Sequence, residues 1–211
     1  DRGRQLDHVV EFGSVDPTIQ EPMSALFLGT LQCSWWMGSI SHRRARYERN
    51  ERTAIAYRFN LPPGVSERLF SALGDIIQAG DQDMQRFDWL EHNCATAIRD
   101  VVNEATDDHL MSQFSVQPAP LTAREEVLRH LAPHLWAWFG WGHQSGPQVD
   151  RPISRWQAMF VPERLTEAFS DADLPWPNGT LQPLLATGEK RVRSHRALGI
   201  FSRQRTMGHG E

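Results

Sequence analysis

The segment 93–105 constrains the fold of this chain more than any other, because it joins a helix-capping residue to a long helical pattern and a cysteine. Asn93 belongs to the residue types preferred at a helix N-cap, which predicts a helix that starts at the next residue. Cys94 would then lie in the first turn, where free backbone N–H groups and the helix dipole stabilise a thiolate. The other interpretation of Cys94 is a small buried apolar residue.

Other segments predict a mixture of strands and helices. The predicted strands are 6–13 and 53–60, and the predicted helices are 67–79, 93–105, 122–131 and 162–169. Thr122 and Glu125 have the spacing of a capping box, which supports the third of these helices. The chain opens in a polar turn that leads straight into a strand, so we expect it to begin in the middle of a hairpin. This pattern predicts an α+β protein.

Composition fits a soluble globular protein and removes several function classes. The 211 residues are 40% hydrophobic and carry a formal net charge of −4, which gives no support for nucleic-acid binding. Neither a G-x-G-x-x-G run nor a Walker-type lysine is present, so we expect no nucleotide and no cofactor. His130 and His134 have a spacing found in metal sites, but Pro133 interrupts the helix, and we expect no metal.

We expect two regions, a catalytic domain at 1–170 and a loosely packed or disordered basic tail at 171–211, where apolar density falls and prolines accumulate. Only two cysteines are present, too few for a disulfide framework. A bridge from Cys33 to Cys94 would remove the candidate nucleophile. We therefore predict that both remain thiols.

Two tryptophan-rich segments are candidates for binding surfaces. Trp35 and Trp36 precede an arginine-rich stretch that includes Arg43 and Arg44. Aromatic side chains at a lipid interface with arginines on anionic head groups would give membrane binding there, whereas a solvated hairpin with arginine–glutamate pairs is the alternative. For the second segment, with tryptophans at 136, 138 and 141, we expect packing in a core or loop.

A reactive thiol needs a base and a group that orients the base. His8 and Glu11 belong to the first predicted strand and point to opposite faces, so only one of them can face the site. His92 comes two residues before Cys94, and on most turn geometries it would point away from the thiol.

Residues 87–100, FDWLEHNCATAIRD, resemble the signature of the Lnb N-terminal domain family, a bacterial extracytoplasmic group. Two further segments are similar to this family in the same order, namely 10–14 (VEFGS) and 150–165 (a D-x-P motif followed by MFVPERL). The resemblance covers roughly 8–169, with the Asn-Cys block carrying most of it.

The resemblance implies a permuted papain-like thiol-enzyme fold, in which a small antiparallel sheet packs on the helix that carries Cys94. It also implies an extracytoplasmic enzyme that acts on acylated lipoproteins at a membrane surface. Cys94 would take an acyl chain from the diacylglyceryl group as a thioester, and the α-amine of the lipoprotein's N-terminal cysteine would resolve it. Asn93 would cap the helix, and backbone N–H groups at the helix start would hold the oxyanion.

The family's histidine lies in a Gly-His motif on the strand before the one that resembles 10–14. Nothing in this chain matches that motif, so the resemblance places the general base upstream of Asp1, with Glu11 as its orienter and His8 as the fallback base. Two alternatives stay open: a cysteine peptidase or amidase of the same fold, in which water resolves the thioester, and an inactive module that binds envelope components.

Overall fold

A computed structural model describes residues 8–52, 54–79, 84–186 and 190–192. The strands in these residues are β1 (His8–Val15), β2 (Gln32–Ser39), β3 (Ala54–Ala56), β4 (Gln85–Arg86), β5 (Asp173–Pro175), β6 (Leu181–Pro183) and β7 (Lys190–Val192). The helices are α1 (Pro22–Phe27), α2 (Ile40–Arg49), α3 (Pro63–Ala79), α4 (Cys94–Ala105), α5 (His109–Phe114), α6 (Ala123–Leu131), α7 (Leu135–Gln144), α8 (Arg155–Ala158) and α9 (Pro162–Asp171), with a 3-10 helix at Pro147–Asp150. The protein is therefore α+β, as the sequence predicts.

The main sheet is small and antiparallel, with the strand order β1-β2-β4. A bulge interrupts the pairing of β1 with β2 between Phe12 and Ser14, at Gly13. Gly13 has a φ of +120°, a backbone conformation that residues with a side chain rarely adopt. The bulge bends β1 at the point where its buried residue, Phe12, meets α4.

The helix α4 joins two hydrophobic clusters. Ala97 packs with Phe12, Leu31 and Cys33 against the sheet. Ala95 and Val102, in contrast, belong to the larger cluster formed with the helices that follow in the chain and with the β5–β6 hairpin. A helix with apolar residues toward both sides is fixed along most of its length, so its first residue has a defined position.

The second helix, α2, lies on the opposite face of the sheet. Side chains alternate between faces along a strand, so Phe12 and its neighbour Glu11 point in opposite directions. Arg43 of α2 forms an ion pair with Glu11 and lies 4.4 Å from the ring centroid of Trp36. The two faces of the sheet therefore carry different chemistry: α4 and the thiols on one, arginines on the other.

Local signals place several elements correctly. The capping residues Asn93 and Thr122 lie immediately before α4 and α6, which confirms both predicted helix starts. The arginine-rich stretch forms α2, a helix whose N-cap Ser39 accepts a hydrogen bond from the His42 N–H. The alternative of a solvated hairpin for this stretch is therefore wrong, although one of its expected arginine–glutamate pairs, Arg44 with Glu48, forms along the helix.

The tail predicted from residue 171 does not start there. Residues 173–183 form the β5–β6 hairpin, and the side chains of Leu174 in β5 and of Leu184, which follows β6, are fully buried in the larger cluster. Low apolar density concealed this packing, because two well-placed leucines are enough to anchor a short hairpin. Residues 193–211 lie outside the described residues. Among the helices of the described chain, none has both the length and the apolar character to cross a membrane.

Candidate active site

Cys94 is the first residue of α4, and its side chain is exposed. Asn93 Oδ1 accepts hydrogen bonds from the N–H groups of Ala95 (2.8 Å) and Thr96 (3.1 Å), and Thr96 Oγ1 accepts from the Asn93 N–H at 2.7 Å. This capping box uses two of the N–H groups at the helix start. The cap thus leaves the N–H of Cys94 itself as the helix-start donor for an oxyanion.

The amide group of Asn93 also ties the helix start to the rest of the protein. Its Nδ2 donates to the carbonyl oxygens of Trp89 at 2.8 Å and Phe160 at 3.1 Å. Asn93 is buried, so these bonds form where water cannot replace them. The predicted cap role of Asn93 is confirmed, and the same residue fixes the position of the neighbouring thiol.

The second cysteine lies close to the first on the sheet side of α4. Cys33 is buried on β2 in the cluster with Phe12 and Ala97, and both cysteines are free. Burial raises the pKa of the Cys33 thiol, and the negative charge of a Cys94 thiolate raises it further. Cys33 therefore favours the neutral thiol, while Cys94 faces solvent.

His92 lies on this side of the sheet as well. Its ring is 4.9 Å from the Phe12 ring in an edge arrangement, and its Nε2 is 2.6 Å from Gln85 Oε1. Gln85 is the β4 residue that pairs with Cys33. The sequence analysis set His92 aside as pointing away from the thiol, and it did not single out Gln85. Gln85 carries no local signal, because only the pairing of β2 with β4 brings it here.

Glu11 and His8, which the sequence suggested as the orienter and the fallback base, lie away from Cys94. Glu11 points to the α2 face, where it pairs with Arg43. His8 shares the Phe12 face by alternation, but it pairs with Ser39 at the far end of β1 and is exposed. Four residues of strand separate His8 from Phe12, roughly 13 Å. In the part of the chain that the structure describes, neither the Glu11 nor the His8 side chain contacts Cys94.

The predicted membrane-binding residues divide between the two sheet faces. Trp35 packs edge-on against Phe12, with ring centroids 5.4 Å apart, on the α4 face. Trp36 and Arg43 stack on the α2 face, and Arg44 is exposed and pairs with Glu48 along α2. These four residues do not form one surface.

A cavity of about 410 Å³ opens between β1 and α2. Its lining includes Glu11, Trp36, Arg43 and Arg46. Arg43 neutralises Glu11, which leaves the second arginine to give the cavity a positive character. Because the cavity lies on the α2 face, the sheet separates it from Cys94.

The most exposed aromatic residue of the described chain, Trp136, belongs to α7, contrary to the expected packing of that segment in a core or loop. Trp136 is 87% exposed, Leu135 71% and Phe139 51%. The sequence offered a signal for this, since residues 131–149 contain no Asp, Glu, Lys or Arg although the helix is at the surface. Such a stretch on an exposed helix marks an interaction surface.

The exposed residues Leu135, Trp136 and Phe139 form a patch that we call the α7 surface. It is connected to the turn before Cys94. Trp141 lies on the inner side of α7 with its ring 5.6 Å from that of Trp89, and Trp89 in turn accepts the Asn93 hydrogen bond. Arg124 holds the same C-terminal end of α7, donating to the carbonyl oxygens of Gly142 and Ser145 while it pairs with Asp150.

No three His, Cys, Asp or Glu side chains converge on a common point that could hold a metal ion in the described ranges. Comparison with family models, curated proteins and solved structures finds no match to this chain.

Proposed function

We propose that this protein is a thiol acyltransferase of the permuted papain-like type, related to lipoprotein N-acylation. Cys94 takes an acyl chain from an ester of a diacylglyceryl group and transfers it to the α-amine of a lipoprotein's N-terminal cysteine. The observation that carries the proposal is the placement of an exposed cysteine at the first position of a capped, doubly packed helix that lies against an antiparallel sheet.

The helix start supports nucleophilic chemistry at this residue. The Cys94 thiol lies at the start of α4 beside its own backbone N–H, which is available to the oxyanion that forms when the sulfur attacks an ester. Asn93 holds both groups in place through its four hydrogen bonds to Ala95, Thr96, Trp89 and Phe160.

The α7 surface supports an acylated substrate. Leu135, Trp136 and Phe139 lie on one face of α7, because residues three and four apart are neighbours on a helix. Tryptophan and phenylalanine on an uncharged helix are suited to the interface of a lipid layer, where the ring enters the acyl region. Trp141 and Trp89 connect this face to the turn that leads to Cys94. Contact with a membrane through α7 would bring the thiol to the level of the acyl esters.

This proposal moves the membrane contact from α2, where the sequence suggested it, to α7. Arg43 already interacts with Glu11 and Trp36 on the sheet face opposite Cys94, so α2 cannot guide a lipid directly to the thiol. An extracytoplasmic location remains part of the proposal, since it rests on the family resemblance.

The test is an acyl-transfer reaction with a diacylglyceryl lipopeptide in detergent micelles. Transfer blocks the α-amine of the lipopeptide and leaves a lyso-glyceryl group, both of which tandem mass spectrometry detects. We expect the product with the wild-type protein and with Cys33→Ala, and no product with Cys94→Ala.

Two other results would reject the assignment. Release of free fatty acid with an unblocked amine would identify a hydrolase of the same fold. Binding of the lipopeptide with neither product would identify an inactive binding module.

A further inference from the structure

The short connection from His92 to Cys94 places their side chains on the same side of the chain. Asn93 has φ −129° and ψ −176°, an extended conformation, and alternate side chains along an extended segment point the same way. Asn93 itself points the other way, into the cap and toward the Phe160 carbonyl. The expectation that His92 points away from the thiol fails, because the segment before α4 is extended rather than a tight turn.

The surroundings of His92 agree with this placement. Phe12 lies in one cluster with Cys33 and Ala97, and the His92 ring packs edge-on against Phe12. Gln85, the hydrogen-bond partner of His92, is paired with Cys33 across β2 and β4. His92 thus packs on the same side of the sheet that Cys33 and the first turn of α4 occupy.

The bond to Gln85 fixes which nitrogen of His92 can accept a proton. A carboxamide oxygen only accepts hydrogen bonds, so Nε2 carries the hydrogen and donates it to Gln85 Oε1 at 2.6 Å. In the neutral ring the other nitrogen, Nδ1, is then the acceptor. The bond also holds the plane of the ring, which Phe12 supports from the side.

We propose that His92 is the general base of Cys94 and that Gln85 is the positioning residue that fixes its tautomer. The inference rests on the proposed function, and it supplies within this chain the base that the family resemblance places upstream of Asp1. His92 is two residues from the thiol in the chain, whereas His8 lies at the far end of β1.

The steps balance as follows. Nδ1 of His92 takes the proton of the Cys94 thiol, and the thiolate attacks the carbonyl carbon of the acyl ester. The bond from that carbon to the glycerol oxygen breaks, and His92 returns the proton to the oxygen. The amine then attacks the thioester and gives a proton to His92, the carbon–sulfur bond breaks, and the proton returns to Cys94.

The first test is the rate of Cys94 alkylation by iodoacetamide between pH 5 and 9, measured in the full chain with Cys33→Ala so that one thiol remains. Three titratable or charged groups adjoin the dyad in the described residues. Cys33, which interacts with the charge of Cys94, is replaced in this variant. Asp88 pairs with His92 through the backbone, and its carboxylate accepts from the Leu90 and Glu91 N–H groups, while Arg86 follows Gln85 on β4 and donates to the Gly29 carbonyl. These groups are the same in every variant compared.

We expect the parent protein, which carries Cys33→Ala and keeps His92, to be alkylated at Cys94 well below pH 8. His92→Ala should lower the rate at pH 6 by at least about tenfold, less than the roughly 10²–10⁴-fold that a positioned base typically contributes, and shift the profile toward that of a free thiol near about 8.5. Gln85→Ala should lie between the two. His109→Ala is the matched control, because His109 bonds the Asp173 carbonyl beyond the far end of α4, and its profile should superimpose on the parent.

Added imidazole should restore the acyl-transfer rate of His92→Ala, which a purely structural role of His92 would not allow. His92→Gln keeps a donor for Gln85 and serves as the second variant if His92→Ala does not fold; it should show the same loss.

The inference would be overturned if the parent is alkylated at low pH and His92→Ala is alkylated at the same rate. It would also be overturned if His8→Ala, and not His92→Ala, lowers that rate. Either result would leave the proposed function standing. The inference would also be overturned if the alkylation profile of Cys94 in the parent is that of a free thiol. The proposed function is decided separately, by whether the acyl-transfer product forms and depends on Cys94.

Discussion

The amide Nδ2 of Asn93 donates a hydrogen bond to the carbonyl oxygen of Phe160, 67 residues later in the chain, at 3.1 Å. The segment around Phe160 and the start of α4 are therefore held together by the residue that caps the candidate nucleophilic helix. The cap and the domain core depend on one side chain.

Asn93→Asp should destabilise the protein, although aspartate is as good an N-cap as asparagine and its charge suits the helix dipole. The carboxylate would keep the bonds from Ala95 and Thr96 but would meet the carbonyl oxygens of Trp89 and Phe160 without a proton to donate. We expect a loss of about 1–3 kcal/mol in the free energy of unfolding, measured by urea denaturation.

Ser154→Asp is the matched control for this substitution, since Ser154 caps α8 through a capping box whose partner, Gln157, is neutral. We expect its stability to change by less than about 0.5 kcal/mol. Equal effects of the two substitutions would mean that the Asn93 amide contributes nothing beyond capping.

Glu11→Gln should leave the pH profile of Cys94 alkylation unchanged, because Glu11 faces α2 and the sheet separates it from the thiol. The substitution removes the ion pair with Arg43, so the free energy of unfolding should fall by about 1 kcal/mol. A shift of the alkylation profile in Glu11→Gln would instead support the orienter role that the sequence suggested for Glu11.

The double variant Trp136→Ala/Phe139→Ala should weaken partitioning onto phosphatidylcholine vesicles by roughly tenfold or more, since 1.4 kcal/mol corresponds to tenfold and burying one large apolar side chain contributes about 1.5–3 kcal/mol. Sedimentation with vesicles measures this effect, and quenching by brominated lipids reports insertion of Trp136. Phe70→Ala is the control, because Phe70 is 68% exposed on α3, a different helix.

The role of α2 in lipid binding is separable from that of α7. If α2 made the contact, Arg44→Gln would weaken binding to vesicles that contain phosphatidylglycerol, and added salt would do the same. Because we assign the contact to α7, we expect neither effect on these vesicles. Dimerisation that is lost in the double variant, with no vesicle binding by the wild type, would reassign the α7 surface to a protein interface.

His130 should stabilise the protein in mildly acidic solution. The Glu126 carbonyl that accepts from its Nδ1, together with the Glu163 carboxylate at Nε2, raises the pKa of His130 above its usual value. A raised pKa in the folded state gives stability that is complete below the unfolded-state value of about 6.5 and is lost as the pH rises through the folded-state value.

His130→Gln should therefore lower the melting temperature at pH 5.5 and have a smaller effect at pH 8.5. Because the side chain is 39% exposed, the contribution should be only about 0.5 kcal/mol. Titration of the imidazole by NMR measures the pKa directly. A melting-temperature difference that does not depend on pH would contradict the ion pair with Glu163.

The start of α4 shows how far local sequence goes. A cap residue and a helical pattern act within a few residues, so the residues alone identify Asn93 and Thr122 as caps and Cys94 as the first residue of its helix. They do not determine the orientation of His92, because it depends on the extended backbone at Asn93 and on the contacts of the ring with Phe12 and Gln85.

The largest difference between the sequence predictions and the structure concerns which apolar side chains are exposed. Leu184 and Trp136 are both apolar, and sequence reasoning placed the first in a loose tail and the second in a packed segment. The structure reverses the two, with Leu184 fully buried and Trp136 87% exposed. Hydrophobicity is a property of the residue, whereas burial depends on which distant elements cover it.

The sequence by itself determined the α+β class, the caps of α4 and α6 and the position of Cys94, since these follow from interactions between residues close in the chain. Only the tertiary structure decided that Glu11 and Phe12 face opposite helices, that Gln85 reaches His92, and that α7 presents its aromatic face to the surface. Strand pairing and the covering of each sheet face join residues that are far apart in the chain, and no local pattern records them.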